Sequence, residues 1–350
     1  MFDIILAFIT SFSLTYMAIP SIISVAKKKN LMDEPGARGS HKISTPSLGG
    51  IAIFAGTIFS IILWTPFGVF DDLQYILCAF IIIFLVGAKD DIDPISPTNK
   101  ILGQLFAALI VVYKANIKLT SLYGIFGVYD LPEVASIILT VFTIIVIINA
   151  FNLIDGINGL SGGVGALIAV TLGYWFLMID RIDLAIVAFA LTGSVIAFLK
   201  YNVTPARIFM GDTGSLLLGL VCSILAIEFI ESHKVLGDHP YAFDAAPSVA
   251  VGILILPLFD TLRVFTLRAL KGKSPFHPDR NHIHHLLIDA GLSHMQATGV
   301  LLIVNVMFMF LVYKLQNIGT FNLLIVVLLI AIFLTSILVF ISKQKLSKLK

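Results

Sequence analysis

Long apolar runs separated by short polar strings fill this chain from Phe2 to Ile341, with no long polar segment between them. A run of about 17–25 apolar residues, wound as a helix, crosses the roughly 30 Å hydrocarbon layer of a bilayer. A helix also satisfies its own backbone groups where no water is present to do so. The pattern predicts eleven helical spans, near residues 2–26, 49–66, 74–88, 100–114, 134–151, 161–179, 184–200, 214–230, 247–265, 295–313 and 321–341. They are expected to form one all-α integral membrane domain over residues 1–350.

Composition agrees with this pattern. A chain that is 58% hydrophobic and 13% charged, with a mean hydropathy of +1.00, carries more apolar surface than a soluble core can hide. Charge adds direction. Of the 23 Lys and Arg, 18 fall on one side of the eleven-span arrangement, and only Lys114, Lys118, Arg181, Lys234 and Lys314 on the other. The basic side is the cytoplasmic one, which puts the N-terminus outside and the C-terminus inside. The basic residues are accounted for by topology, so a net charge of +2 gives no argument for a nucleic-acid partner. The first run starts beside Asp3, has no basic cluster before it and no small-residue cleavage pattern after it, so it is expected to be kept as a span. Cys78 and Cys222 lie inside expected spans and build no disulfide framework.

Every polar string of interest then lands on the cytoplasmic side. "GAKDDIDP" puts Asp90, Asp91 and Asp93 where an apolar run meets water. Such acids suit a solvated helix end, and they also suit Mg²⁺, which takes a few carboxylates together with waters and phosphate oxygens. In "NAFNLIDGINGL" the residues Asn149, Asn152, Asp155 and Asn158 recur every three positions, a rack of polar groups able to recognise a polar head such as a nucleoside. "FMGDTGS" brackets Asp212 with glycines at a helix start, where it is either an N-cap or a holder of phosphate-bridging metal. "SPFHPDRNHIHHLL" gathers His277, Arg280, His282, His284 and His285 without the cysteines or spacing of a zinc motif, and partly charged imidazoles beside an arginine suit a diphosphate. His41 and Lys42 precede the sharp entry to the second span and can reach a lipid phosphate. Asp260 and Arg263, three apart in the ninth span, are expected to neutralise each other.

Taken together and in this order, from about Asp33 to Leu287, these strings resemble the polyprenyl-phosphate N-acetylhexosamine-1-phosphate transferase family, of glycosyltransferase 4 type. "HPDRNHIHH" is similar to the N-acetylglucosamine-1-phosphate branch rather than the peptidoglycan branch. The resemblance implies a bacterial inner-membrane enzyme that moves a sugar 1-phosphate from a UDP-N-acetylhexosamine to undecaprenyl phosphate and releases UMP. This would be the first membrane step of an envelope polysaccharide such as O-antigen or teichoic acid linkage. It implies Mg²⁺, with Mn²⁺ as a substitute. It makes Asp90, Asp91, Asp212, His282, His284 and His285 catalytic, with Asp91 and Asp212 as metal ligands. The substrate-binding set is His41, Lys42, Asn152, Asp155, Asn158, Asn202, Phe209 and Arg280, with Phe209 stacking on uracil. Asn158 stands where many relatives have Asp, and an amide serves neither as base nor as strong metal ligand.

Asp90 or Asp91 would either deprotonate the lipid phosphate or attack first to give a covalent intermediate; both routes stay open. The remaining partner is membrane lipid; a second copy in a homodimer stays open, since lipid-facing and partner-facing helix surfaces are equally apolar. Two other classes place carboxylates near a membrane. An intramembrane prenyltransferase would need Asp at position 94, which is Pro94. A transporter would more often bury its carboxylates at mid-depth and show an inverted repeat, and no strong repeat is visible.

Overall fold

The computed structural model describes residues 1–32, 44–272 and 281–349. His41, Lys42, His277 and Arg280 lie outside the described residues. Among those described there are thirteen α-helices: α1 (Phe2–Lys28), α2 (Gly49–Trp64), α3 (Leu73–Ile92), α4 (Pro97–Tyr113), α5 (Glu133–Ile154), α6 (Leu160–Met178), α7 (Ile182–Asn202), α8 (Gly211–Leu236), α9 (Ala246–Ile253), α10 (Ile255–Leu270), α11 (Ile283–Asp289), α12 (His294–Leu315) and α13 (Thr320–Leu349). Each of the eleven expected runs is helical, so periodicity and apolar length found the elements. Among the described residues seven helices are long and apolar enough to cross a membrane, eight if the bent pair α9–α10 counts as one. α2, α3 and α4, expected as spans, are not among the seven.

The ninth run departs from expectation by breaking into α9 and α10, which meet at 81°. Pro257 explains the break. It has no N–H to return to Ile253, four residues back, so that carbonyl loses its helical partner. The Asn305 side chain of α12 donates to the Ile253 carbonyl instead, at 3.1 Å. A backbone group freed inside apolar surroundings is thus satisfied by a neighbouring helix.

α8 forms the axis of the bundle. It is buried along nearly its whole length, against α2, α3, α5, α6, α7 and α9. Two glycines bring neighbours onto its first turn. A Cβ at Gly50 would lie 2.1 Å from the Gly214 nitrogen, and one at Gly87 would lie 2.6 Å from the Thr213 nitrogen, so both positions exclude any side chain. Gly87 stands one turn before Asp91 on α3, so the close approach it permits also delivers Asp91 to the start of α8. At the far end of α8, Glu228 pairs with Arg181 at 3.0 Å, and the carboxylate of Glu231 accepts from the Thr120 nitrogen at 2.8 Å. The two ends of the molecule therefore differ in chemistry.

Candidate functional site

An acid at a helix C-terminus faces the negative end of the helix dipole and is disfavoured there. Asp91, in the last turn of α3, escapes that penalty by meeting the positive end of α8. Its Oδ1 accepts from the Asp212 nitrogen at 2.6 Å, and its Oδ2 accepts from the Thr213 nitrogen at 3.0 Å and from Thr213 Oγ1 at 2.6 Å. A cap brought from another helix thus does for α8 what a local N-cap residue would do. Asp212 is released from that duty and turns toward other partners.

Those partners are a cation and an amide. Lys100, one turn into α4, is positioned by a helix start that carries Ser96 as N-cap and Pro97 behind it. Its ammonium forms ion pairs with Asp212 and with Asp90, the latter at 3.2 Å. Asp90 also accepts from the Ile95 nitrogen at 2.8 Å, which closes the turn between α3 and α4. Asn152, in the last turn of α5, donates to Asp212 Oδ1 at 2.9 Å and to Ser215 Oγ at 3.1 Å. Asp90, Asp91, Asn152 and Asp212, dispersed over more than a hundred residues, therefore share one site with Lys100. Asp93 is not part of it, being paired with Lys89 at the surface.

The rack of four is divided by the fold. Asn149 is bonded to Gln104 at 2.6 Å, and Asn158 to Thr204 at 3.0 Å, both as ties within the scaffold. Asn202 likewise uses both ends of its amide internally, accepting from the Gly159 nitrogen at 2.6 Å and donating to the Ile208 carbonyl at 2.9 Å. Asn152 and Asp155 remain at the site. Asp155 ends α5, where burial first and the charge of Asp91 second push its carboxyl up to about 7. Phe209 is half-buried on the strap before α8, with its nitrogen donating to the Pro46 carbonyl at 2.8 Å and its carbonyl accepting from Gly49 at 2.9 Å.

The histidines close the site from the other side. A Cβ at Gly156 would lie 2.4 Å from His284 Nε2, which sets His284 directly on the turn after Asp155. His284 is 2% exposed, and neither ring nitrogen has a hydrogen-bond partner among the described residues. Burial first, then the neighbouring His285, His282 and His294, hold it neutral, well below the usual histidine range. That differs from the expectation of partly charged imidazoles. His285 lies beside it with ring centroids 4.3 Å apart, and His282 stacks on it at 5.6 Å.

The expected pairing of Asp260 with Arg263 is replaced. Asp260 binds His282 Nδ1 at 2.9 Å and accepts from the Ile283 nitrogen at 2.9 Å, while Arg263 donates to the Asn281 carbonyl at 2.5 Å. The pattern of residues missed two participants. Lys100 was absorbed into the count of topological charges. Asp260 carried the signal of an acid inside an apolar run, and such an acid needs a partner.

Among the described residues no three or more His, Cys, Asp and Glu side chains converge as a ready metal cage. The donor chemistry nevertheless suits a hard cation. Two carboxylates, Asp90 and Asp212, already share one positive charge, and a divalent ion with water and phosphate oxygens is held by sets of this kind.

The sequence model of glycosyl transferase family 4 matches residues 73–230, the stretch that carries Asp90, Asp91, Lys100, Asn152, Asp155 and Asp212. The chain is 31% identical over 283 residues to an undecaprenyl-phosphate alpha-N-acetylglucosaminyl 1-phosphate transferase of Escherichia coli O157:H7, covering 78% of this chain and 73% of that protein. It is 33% identical over 300 residues to the protein of the same name from Pasteurella multocida, covering 84% and 81%. The Yersinia pestis protein of that name is 30% identical over 297 residues, covering 83% and 78%.

Proposed function

The chain belongs to glycosyl transferase family 4, and from that premise we propose that it transfers N-acetylglucosamine 1-phosphate, or a related N-acetylhexosamine 1-phosphate, from a UDP-sugar to undecaprenyl phosphate. An oxygen of the lipid phosphate attacks the sugar-bearing phosphorus, the bond to the bridging oxygen breaks, and UMP leaves. The products are the diphosphate-linked lipid sugar and UMP. The observation that carries this reading is the meeting of Asp90, Lys100, Asn152 and Asp212 with the histidine segment at one end of the bundle. A phosphoryl transfer needs that mixture of cation, carboxylate and polar donors.

Within this reading each residue has a task. Lys100 neutralises charge that develops on the transferred phosphate. Asp91 holds the start of α8, and with it Asp212, in register. Mg²⁺ would be held by Asp212 with Asp90, since the oxygens of Asp91 are engaged by α8; when bound it supplies Lewis-acid neutralisation of the diphosphate. Asn152 and Asp155 face the nucleotide, and Phe209 offers a ring to uracil. His284 and His285 sit beside the diphosphate, with His41, Lys42 and Arg280 as further phosphate contacts. Asp91, with both oxygens committed to the start of α8, is not placed to act as base for the acceptor. The molecule would cross the bacterial cytoplasmic membrane eleven times with this site in the cytosol, at the entry to an envelope polysaccharide.

The test is direct. Purified chain with labelled UDP-N-acetylglucosamine, undecaprenyl phosphate and Mg²⁺ gives labelled lipid and an equal amount of UMP. If no UDP-N-acetylhexosamine yields either product, the reading is wrong.

A further inference from the structure

Asp260 is 1% exposed, inside α10 shortly after the bend. A carboxylate buried in apolar surroundings is held there by specific partners, and its partners identify what it is for. Both of its oxygens are directed at one short stretch. Oδ1 accepts from the Ile283 nitrogen at 2.9 Å, which fixes the start of α11, and Oδ2 meets His282 Nδ1 at 2.9 Å. Arg263, the cation nearest in sequence, is occupied with the Asn281 carbonyl. The Asp260 carboxylate thus bonds both the backbone that carries the histidines and the ring of the first of them.

A carboxylate only accepts, so with Asp260 as a carboxylate the hydrogen of that contact belongs on Nδ1 of His282. The other ring nitrogen, Nε2, is then the one left for a ligand: an acceptor when the ring is neutral, a donor when it is charged. His282 is 5% exposed and stacks at 10° on His284, which rests on Gly156 beside Asp155. The chain of contacts runs from α10 through two imidazoles to the turn that carries Asp155, just after Asn152 of the site. Metal-ligating histidines are commonly oriented by a carboxylate in this way, and losing that carboxylate costs about 10–100-fold in metal affinity or activity; the contact of Asp260 with His282 has the same geometry.

We propose that Asp260 is a positioning residue for the transfer reaction, fixing His282 with its proton on Nδ1 so that Nε2 is presented to the diphosphate. The proposal rests on the transferase reading above. The bend at Pro257 belongs to the same device, because it swings α10 away from the line of α9 and places Asp260 under α11.

The experiment compares Asp260→Asn, His282→Gln and the double variant with the parent chain, full length in detergent, using UDP-N-acetylglucosamine, undecaprenyl phosphate and Mg²⁺. Asn at 260 keeps the acceptor for Ile283 and offers an N–H to His282 Nδ1, so it favours the opposite tautomer. Asp260→Asn should lower kcat about 10–100-fold while KM for the UDP-sugar moves less than about threefold. On the His282→Gln background the same change should cost nothing further, because Asp260 then has no ring to orient. Parent-like turnover of Asp260→Asn, or a cost that adds in full to that of His282→Gln, overturns the proposal. Nitrogen-15 NMR of histidine-labelled parent chain, with His282 identified by its loss in His282→Gln, reads the tautomer without any turnover. A neutral ring protonated on Nε2 overturns the proposal even if Asp260→Asn fails to fold. If the parent chain releases no UMP, the transferase reading fails, and the tautomer still decides whether Asp260 orients His282.

Discussion

Lys100 shows how much a single residue can conceal in a sequence. Read along the chain it is one of many basic residues that orient a membrane protein, and only its contacts with Asp90 and Asp212 show it as the cation of the site. Lys100→Gln should reduce turnover about 10²-fold, because preorganised positive charge near the transferred phosphate is lost. In the metal-free protein it should also lower the melting temperature, since two carboxylates lose their shared cation, and added Mg²⁺ should narrow that difference. Melting curves with and without Mg²⁺ check both halves.

Asp155 makes a prediction with a definite sign. Its carboxyl is pushed from 3.8 up to about 7 by burial and by Asp91, so the folded chain keeps a proton that the unfolded chain has released. Stability therefore falls as pH rises from about 4 to about 7 and is level above that window. Asp155→Asn, which carries no charge to desolvate, should melt higher than the parent by a margin that grows across this window. An equal margin at pH 4.5 and pH 8 in metal-free detergent solution would refute the assignment.

At the level of elements, the site exists because helix ends meet end to side. The C-terminus of α3 lies on the N-terminus of α8, and backbone contact at Gly87 and Gly50 makes that possible. Gly87→Ala would set a methyl 2.5 Å from the Thr213 Cα, which is backbone and has no room to yield. A cost of about 1–3 kcal/mol in stability is expected, together with lost activity as Asp91 and Asp212 are pushed apart. Gly68→Ala, where an added Cβ meets nothing within 4 Å, is the matched control and should leave both unchanged. Neither glycine is distinguishable from the others in the sequence, because what makes it necessary is the approach of a helix far away in the chain. The same holds for the break at Pro257: the proline is visible, but the Asn305 side chain that makes the break tolerable is not.

For the whole molecule, the charge pattern predicts a polarity. Lys100 stands at the site and Lys200 at the C-terminal end of α7, whereas Arg181 and Lys234 belong to the opposite ends of α7 and α8. On a background with Cys78 replaced, a membrane-impermeant thiol reagent should label Phe126→Cys on intact cells and reach Arg207→Cys only after the membrane is opened. Labelling in the reverse order would invert the orientation.

The sequence by itself determined the helices, the membrane as solvent and the family, because apolar run length and short motifs are local properties that need no knowledge of neighbours. It also supplied Asp90, Asp91, Asn152, Asp155, Asp212 and the histidines as a set. Only the tertiary structure decided their division of labour. Asp91 caps a helix while Asp212 is left to bind a cation, Asn158 and Asn202 tie the scaffold, and Asp260 serves His282 rather than Arg263. The reason is physical: a polar side chain in a low-dielectric interior takes its role from whichever partner satisfies it, and those partners lie on other helices.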